Sequence, residues 1–145
     1  MTSTDTPPGL IGRSIGALFA VVVVLSIGTD VVMHATHVFP PMGQPPSHRQ
    51  MSDAPFLLAT AYRVIYQVAG SYLTARLAPG RPMQHALVGG GVGLALSIVG
   101  AALTWNKGPE FGPHWYPLAL VVLAMPTAWL GGVLHRTWHP ERPTI

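Results

Sequence analysis

The sequence predicts an all-α integral membrane protein that folds as an antiparallel bundle of four transmembrane helices. Four apolar runs carry this prediction, and each approaches the roughly 20 residues with which a helix crosses about 30 Å of hydrocarbon. The runs cover residues 15–33, 56–77, 86–104 and 117–134. Away from the run edges, only Asp30 and Arg63 carry a formal charge. Charged residues make up 9% of the chain, against about 25% in soluble domains, so we expect one membrane domain over residues 1–145.

Turn-forming residues delimit the four predicted spans. These spans cover about residues 12–34, 56–77, 85–105 and 117–135. The sequence APGRP at residues 78–82 favours a tight turn, and Pro55 and Pro117 stand where the first turn of a helix tolerates proline. Segments 38–55 and 105–117 are rich in proline or glycine and are predicted to be irregular loops. Residues 1–10 are expected to form a disordered tail.

The distribution of basic residues orients the spans. Residues 1–14, 78–85 and 135–145 would share one side of the membrane. The basic residues on that side are Arg13, Arg81, Arg136 and Arg142, whereas the other side holds Arg49 and Lys107. Because cytoplasmic loops are enriched in lysine and arginine, we expect both termini on the cytoplasmic side of the membrane.

Several function classes are excluded or disfavoured by composition. The chain contains no cysteine, which excludes disulfides, thiolate nucleophiles and iron–sulfur clusters. Its formal charge is +3, but the arginines are scattered and form no basic stripe, so we expect no nucleic-acid partner. The serines lack a GxSxG setting and no carboxylates are paired, so a hydrolase is not expected. We therefore predict no enzymatic activity and no cofactor.

A repeat of small residues in the third run predicts a helix-packing face. Gly89, Gly93, Ser97 and Ala101 recur every four residues, and such patterns let helix backbones approach closely in lipid. A four-span chain must first pack its own helices, so contact within the chain is the favoured interpretation. A seam between two copies of the chain is the alternative.

A stripe of polar residues follows the end of the first run. Asp30, His34 and His37 are spaced at i, i+4 and i+7, which places them within about 60° of one helix face. A charge at such depth costs about 2.5 to 3.5 kcal/mol unless it is paired. Arg63 lies at a similar depth of the second run, because that run returns in the opposite direction. We predict an interhelical ion pair between Asp30 and Arg63.

Other polar residues are predicted to complete this intramembrane cluster. Tyr66 and Gln67 lie one turn beyond Arg63 on its face, with Tyr62 adjacent, and could supply hydrogen bonds that the pair leaves unmet. The favoured interpretation is that the cluster fixes the register of two helices in a small polytopic protein with a structural or accessory role. Such a protein has the lipid bilayer as its partner, together with a membrane-protein partner or further copies of itself.

Two other interpretations remain open at this point. The polar stripe could form a path for protons or ions in a small transporter, since a carboxylate and histidines are suitable proton carriers. Alternatively, histidines facing the periplasm could bind zinc or copper. The candidate ligands are His34, His37, His48 and His114. No closed ligand motif such as HExxH accompanies them.

Three sequence segments resemble a family of small bacterial inner-membrane proteins. They are TARLAPGRPMQHAL at residues 74–87, TWNKGPEFGPHWYP at 104–117 and AWLGG at 128–132. The resemblance covers most of the chain from Gly28 onward. It implies a multi-pass bacterial membrane protein with four spans, and it implies no activity, substrate or site residue.

Overall fold

The chain folds into four α-helices in the part that the structure describes. The computed structural model describes residues 8–38, 53–78, 81–107 and 112–138. The helices are α1 (Pro8–Ala35), α2 (Ala54–Leu77), α3 (Pro82–Thr104) and α4 (Trp115–Trp138). These four ranges contain no strand, so the prediction of an all-α fold is confirmed for them.

The helix boundaries lie close to the predicted spans. Helices α2 to α4 begin two or three residues earlier than expected, while α1 begins at Pro8, inside the predicted 1–10 tail. Proline is tolerated at the first helical position because the N–H it lacks would have no intrahelical partner there. The rest of that predicted tail, and most of the predicted 38–55 loop, lie outside the described residues. Helix α4 continues through Pro126.

Three helices are long and apolar enough to cross a membrane. They are α1 over Ala17–Ala35, α3 and α4, as found among the described residues. Helix α2 has the necessary length, with 24 residues, but Arg63, Gln67 and its tyrosines lower its mean hydropathy. The sequence expectation of four comparable apolar helices therefore needs correction at α2.

Helix α2 occupies the centre of the arrangement. It packs against α1, α3 and α4, and α4 also packs against α3. Contacts between Phe56 and Tyr116 and between Tyr72 and Trp138 show that α2 and α4 run in the same direction. Helix α1 runs the opposite way. Because α2 has three neighbouring helices, its polar side chains can find partners within the protein while other faces of the helix stay exposed.

Small residues on α4 allow the closest helix contacts. A Cβ atom added to Gly131 would lie 2.6 Å from Ser71 Cβ and 2.7 Å from the Val68 carbonyl oxygen. Every buried residue of α4 is small. They are Ala124, Thr127, Ala128, Gly131 and Gly132. The α4 backbone therefore lies directly against α2 and α3.

The predicted packing face of α3 is displaced by one residue from the observed one. A Cβ at Gly89 or Gly93 would meet no atom within 4 Å, whereas one at Gly90 would lie 2.3 Å from Ala128 Cβ. Ala86 and Gly90 are buried, while Ser97 and Ala101 are only partly buried. The repeat of small residues located the helix that makes close contacts, but the position of α4 determines which face is used.

Substitution of Gly131 by alanine is expected to lower the free energy of unfolding by about 1 to 3 kcal/mol. The added methyl would overlap α2 backbone atoms, which cannot rotate away as a side chain can. Gly89→Ala is the matched control, because its methyl enters open space. Unfolding of both variants in mixed micelles, followed by circular dichroism, measures the difference. Equal stability of the two variants would contradict the close α2–α4 contact.

Candidate functional site: a polar cluster around helix α2

The carboxylate of Asp30 on α1 contacts two side chains of α2. Arg63 Nη2 donates to Asp30 Oδ2 at 2.5 Å, and the Tyr62 hydroxyl donates to Asp30 Oδ1. The structure thus brings together the two charged residues that the sequence places inside apolar runs. Each carboxylate oxygen has a donor, which offsets the cost of partly burying the charge.

The Arg63 guanidinium lies near two aromatic rings. Its Cζ atom is 5.5 Å from the centre of the Tyr116 ring on α4 and 5.9 Å from that of Tyr62. Cations within about 6 Å of a ring centre are attracted by its negative face. The side chains of Arg63 and Asp30 keep 23% and 24% of their surface exposed. The ion pair therefore joins three helices and is not fully enclosed by them.

A second contact between α1 and α2 lies beside the ion pair. The hydroxyl oxygens of Thr29 and Tyr66 are 3.0 Å apart. Thr29 also donates to the Leu25 carbonyl at 2.8 Å, and a hydroxyl has one proton, so Tyr66 is the donor to Thr29. The Tyr66 ring lies 5.9 Å from the Tyr62 ring. Tyr66 thus supports the cluster without contacting Asp30.

Gln67 makes its contact with a different helix from the one expected. Its Oε1 atom lies 3.0 Å from the hydroxyl of Thr127 on α4. Thr127 also approaches the Leu123 carbonyl of its own helix at 2.8 Å and is 4% exposed. Gln67 was expected to serve the ion pair, but it lies one turn away and faces α4, where it forms a buried polar contact with Thr127.

The two histidines of the predicted stripe separate at the end of α1. His34 lies in the last turn of the helix, one turn beyond Asp30, and is partly buried. Helix α1 ends at Ala35, and His37 adopts a positive φ of 58° with an exposed side chain. The i, i+4, i+7 stripe therefore extends only to His34, because its third position requires a helix that has already ended.

The candidate metal ligands do not assemble into a site within the described ranges. No group of three or more histidine, cysteine or acidic side chains there could hold a metal ion. His114 stacks on the Trp105 ring with 4.6 Å between ring centres, and its Nε2 lies 3.2 Å from the Trp105 carbonyl oxygen. His48 lies outside the described residues.

Two contributors to the cluster were not identified from the sequence, Tyr116 and Thr127. Tyr62, 9% exposed, is among the residues expected to supply hydrogen bonds to the pair, and it donates to Asp30 directly. Tyr116 resembles an interfacial aromatic residue in the sequence, and its position beside Arg63 depends on the parallel placement of α2 and α4. Thr127 has no sequence signal, because threonine in a helix usually bonds to its own backbone.

The fold and the cluster together define a class of protein, a small all-helical chain with membrane-length apolar helices and an interhelical ion pair. Comparison of the chain with protein-family models, with curated proteins and with solved structures finds no match.

The Asp30–Arg63 contact is expected to couple the two residues energetically. Asp30→Asn and Arg63→Gln should each lower the free energy of unfolding by about 1 to 3 kcal/mol, because each leaves a charged partner without its counterion. The double variant should lose at least about 1 kcal/mol less than the sum of the single losses. Unfolding in mixed micelles measures all three.

Asp53→Asn provides a matched control for this cycle. Asp53 is exposed and accepts a hydrogen bond from the Trp115 indole at 3.1 Å, so its change should stay within about 0.5 kcal/mol. Additive losses in the Asp30 and Arg63 variants would show that the pair has no coupling and would refute this assignment.

Proposed function

We propose that the protein is a small polytopic protein of the bacterial plasma membrane with a structural or accessory role and no catalytic activity. One observation carries the proposal. Four polar side chains of α2 each contact a polar group on a neighbouring helix. They are Tyr62, Arg63, Tyr66 and Gln67. Polar groups committed to interhelical contacts act as packing devices in a bilayer.

In this proposal, α2 is the fourth span of the bundle. Its 24 residues correspond to about 36 Å at about 1.5 Å per residue, which exceeds the roughly 30 Å hydrocarbon core. Its lower hydropathy is compatible with a span because its polar side chains face α1 and α4. A polar side chain with a protein partner avoids most of the cost of exposure to lipid.

The contacts between α1 and α2 support a role in setting helix register. Val22 meets Gly70, Thr29 meets Tyr66 and Asp30 meets Arg63 along two antiparallel helices. A slip of one helical turn, about 5.4 Å, would break all three contacts at once. Helix α4 also contacts α2 and α3 through small residues such as Gly131 and Ala128, so α1 depends on this cluster more than α4 does.

The proposed topology has both termini in the cytoplasm. The α2–α3 connection carries Arg81, and the last turn of α4 carries Arg136. Because basic residues accumulate on the cytoplasmic side, these ends of α2 and α4 are assigned to that side. The connection after α3, with Asn106 and Lys107, is then periplasmic.

Single cysteines introduced into this cysteine-free chain should label from opposite sides. Asn106→Cys should react with a membrane-impermeant maleimide in intact spheroplasts, and Thr137→Cys only after permeabilisation. Both side chains are exposed, so the membrane alone should separate their reactivities. The unsubstituted protein provides the background. Equal labelling of both variants in intact spheroplasts would contradict the four-span topology.

Proton or ion translocation is a second candidate function. The observation that favours it is the partial exposure of the ion pair, 24% for Asp30 and 23% for Arg63. His34 lies one turn along α1 from Asp30, toward the periplasmic side in the proposed topology. A carboxylate below a histidine can pass protons if water reaches both groups.

Flux measurements separate the two candidate functions. A structural role predicts that purified protein in liposomes gives the same proton flux as empty vesicles across imposed pH gradients. Translocation predicts a pH-dependent flux that Asp30→Asn abolishes and the control Asp53→Asn retains. The second result would replace the structural proposal with a transport function.

A further inference from the structure

An apolar groove runs along the outside of α2 and α4, away from the polar cluster. Its α2 wall is formed within residues 64–73, and its α4 wall is formed by Leu134 and Trp138. The cavity has a volume of about 500 Å³ and its accessible wall is apolar. Ile65 and Trp138 are 63% and 69% exposed. No described helix covers these side chains.

The length of the groove and its position along α2 match one leaflet of a bilayer. It begins near the midpoint of α2 and reaches almost to the last turn of that helix. The nine steps from Val64 to Leu73 correspond to about 14 Å along the axis. Half of a hydrocarbon core is about 15 Å thick. A helix from a second copy of the chain would need an apolar face that extends through both leaflets, and this groove covers only one.

Basic and aromatic side chains lie at one end of this groove. Arg76 lies in the last turn of α2, one turn beyond Tyr72 on the same side of the helix, and is exposed. Trp138 contacts the Tyr72 ring at 5.8 Å between ring centres. Tryptophan favours the headgroup level of a membrane, and a guanidinium can bind a phosphate through two N–H groups.

We propose that this groove binds one acyl chain of an anionic phospholipid of the cytoplasmic leaflet, with the lipid phosphate at Arg76. The apolar wall provides the chain contacts, and the positive charge at the end of the groove favours an anionic headgroup over a zwitterionic one. The proposal rests on the proposed membrane topology, because that topology makes this end of α2 cytoplasmic.

Quenching of Trp138 by brominated lipids tests the proposal. Trp105, Trp115 and Trp129 are replaced with phenylalanine, so that Trp138 is the sole tryptophan. The protein is placed in nanodiscs that contain a small fraction of either brominated phosphatidylglycerol or brominated phosphatidylcholine. Phosphatidylglycerol should occupy the groove with about fivefold preference, the contribution expected of one basic residue near an anionic headgroup. Arg76→Gln should remove that preference.

Two matched controls accompany this experiment. Arg136→Gln removes the same charge from the same end of the bundle, but Arg136 lies two residues before Trp138 and so about 200° around α4. It should retain the preference. Ala69→Phe fills the groove and should reduce quenching by both lipids, whereas Ala95→Phe, at an exposed position on α3, should not.

Native mass spectrometry provides a second measurement on the chain with all four tryptophans. The parent protein should retain phosphatidylglycerol after release from nanodiscs, and Arg76→Gln should retain several-fold less than Arg136→Gln. This readout remains available if the single-tryptophan variant does not fold.

Defined results would overturn the proposal. Equal quenching by the two lipids would show that the groove is ordinary lipid-facing surface with no headgroup preference. Protection from both lipids, with Ala69→Cys copies crosslinking to each other, would identify a homodimer seam. If Asn106→Cys and Thr137→Cys label equally, the proposed membrane topology is wrong. That outcome is measured separately from the lipid preference.

Discussion

Helix α2 carries polar side chains that are costly to leave unpaired in an apolar environment, and their partners lie on α1 and α4. Asp30 lies where it can accept from both Tyr62 and Arg63, and Thr127 lies opposite Gln67. An unpaired charge or amide in a region without water costs several kcal/mol. This penalty makes the paired arrangement more favourable than an arrangement that leaves these polar side chains without partners. The least apolar helix is consequently the central one.

Small side chains provide the second condition for this arrangement. The α4 backbone approaches α2 at Gly131 and α3 at Gly90, so that both neighbours come within van der Waals contact of α4. Close approach also sets the distance at which Thr127 meets Gln67 and Tyr116 meets Arg63. Packing and polar contacts therefore depend on each other. Within its described residues, α1 packs mainly against α2, where one close contact at Gly70 accompanies the polar contacts of Thr29 and Asp30.

The polar cluster was largely predictable, because few residue types can balance a charge inside an apolar run. Asp30 and Arg63 stand out in the sequence, and antiparallel connection of the first two runs places them at similar depth. The partners that lack a charge were harder to predict. Tyr116 and Thr127 are compatible with interfaces, cores or helix backbones, and only the helix directions and rotations bring Tyr116 to Arg63 and Thr127 to Gln67. The apolar groove had no signal in the sequence, since its walls belong to two helices distant in the chain.

The sequence by itself determined the helical class, the approximate helix limits and the charged pair. The length of the apolar runs and the positions of prolines are local features. The charged pair follows from the cost of an unpaired charge and from the similar depth of Asp30 and Arg63 in adjacent runs. Tertiary structure decided which faces touch. It moved the α3 contact from Gly89 to Gly90 and directed Gln67 to α4. The physical reason is rotation about the helix axis. A change of one residue turns a side chain by about 100°, and only contact with a neighbouring helix selects the rotation.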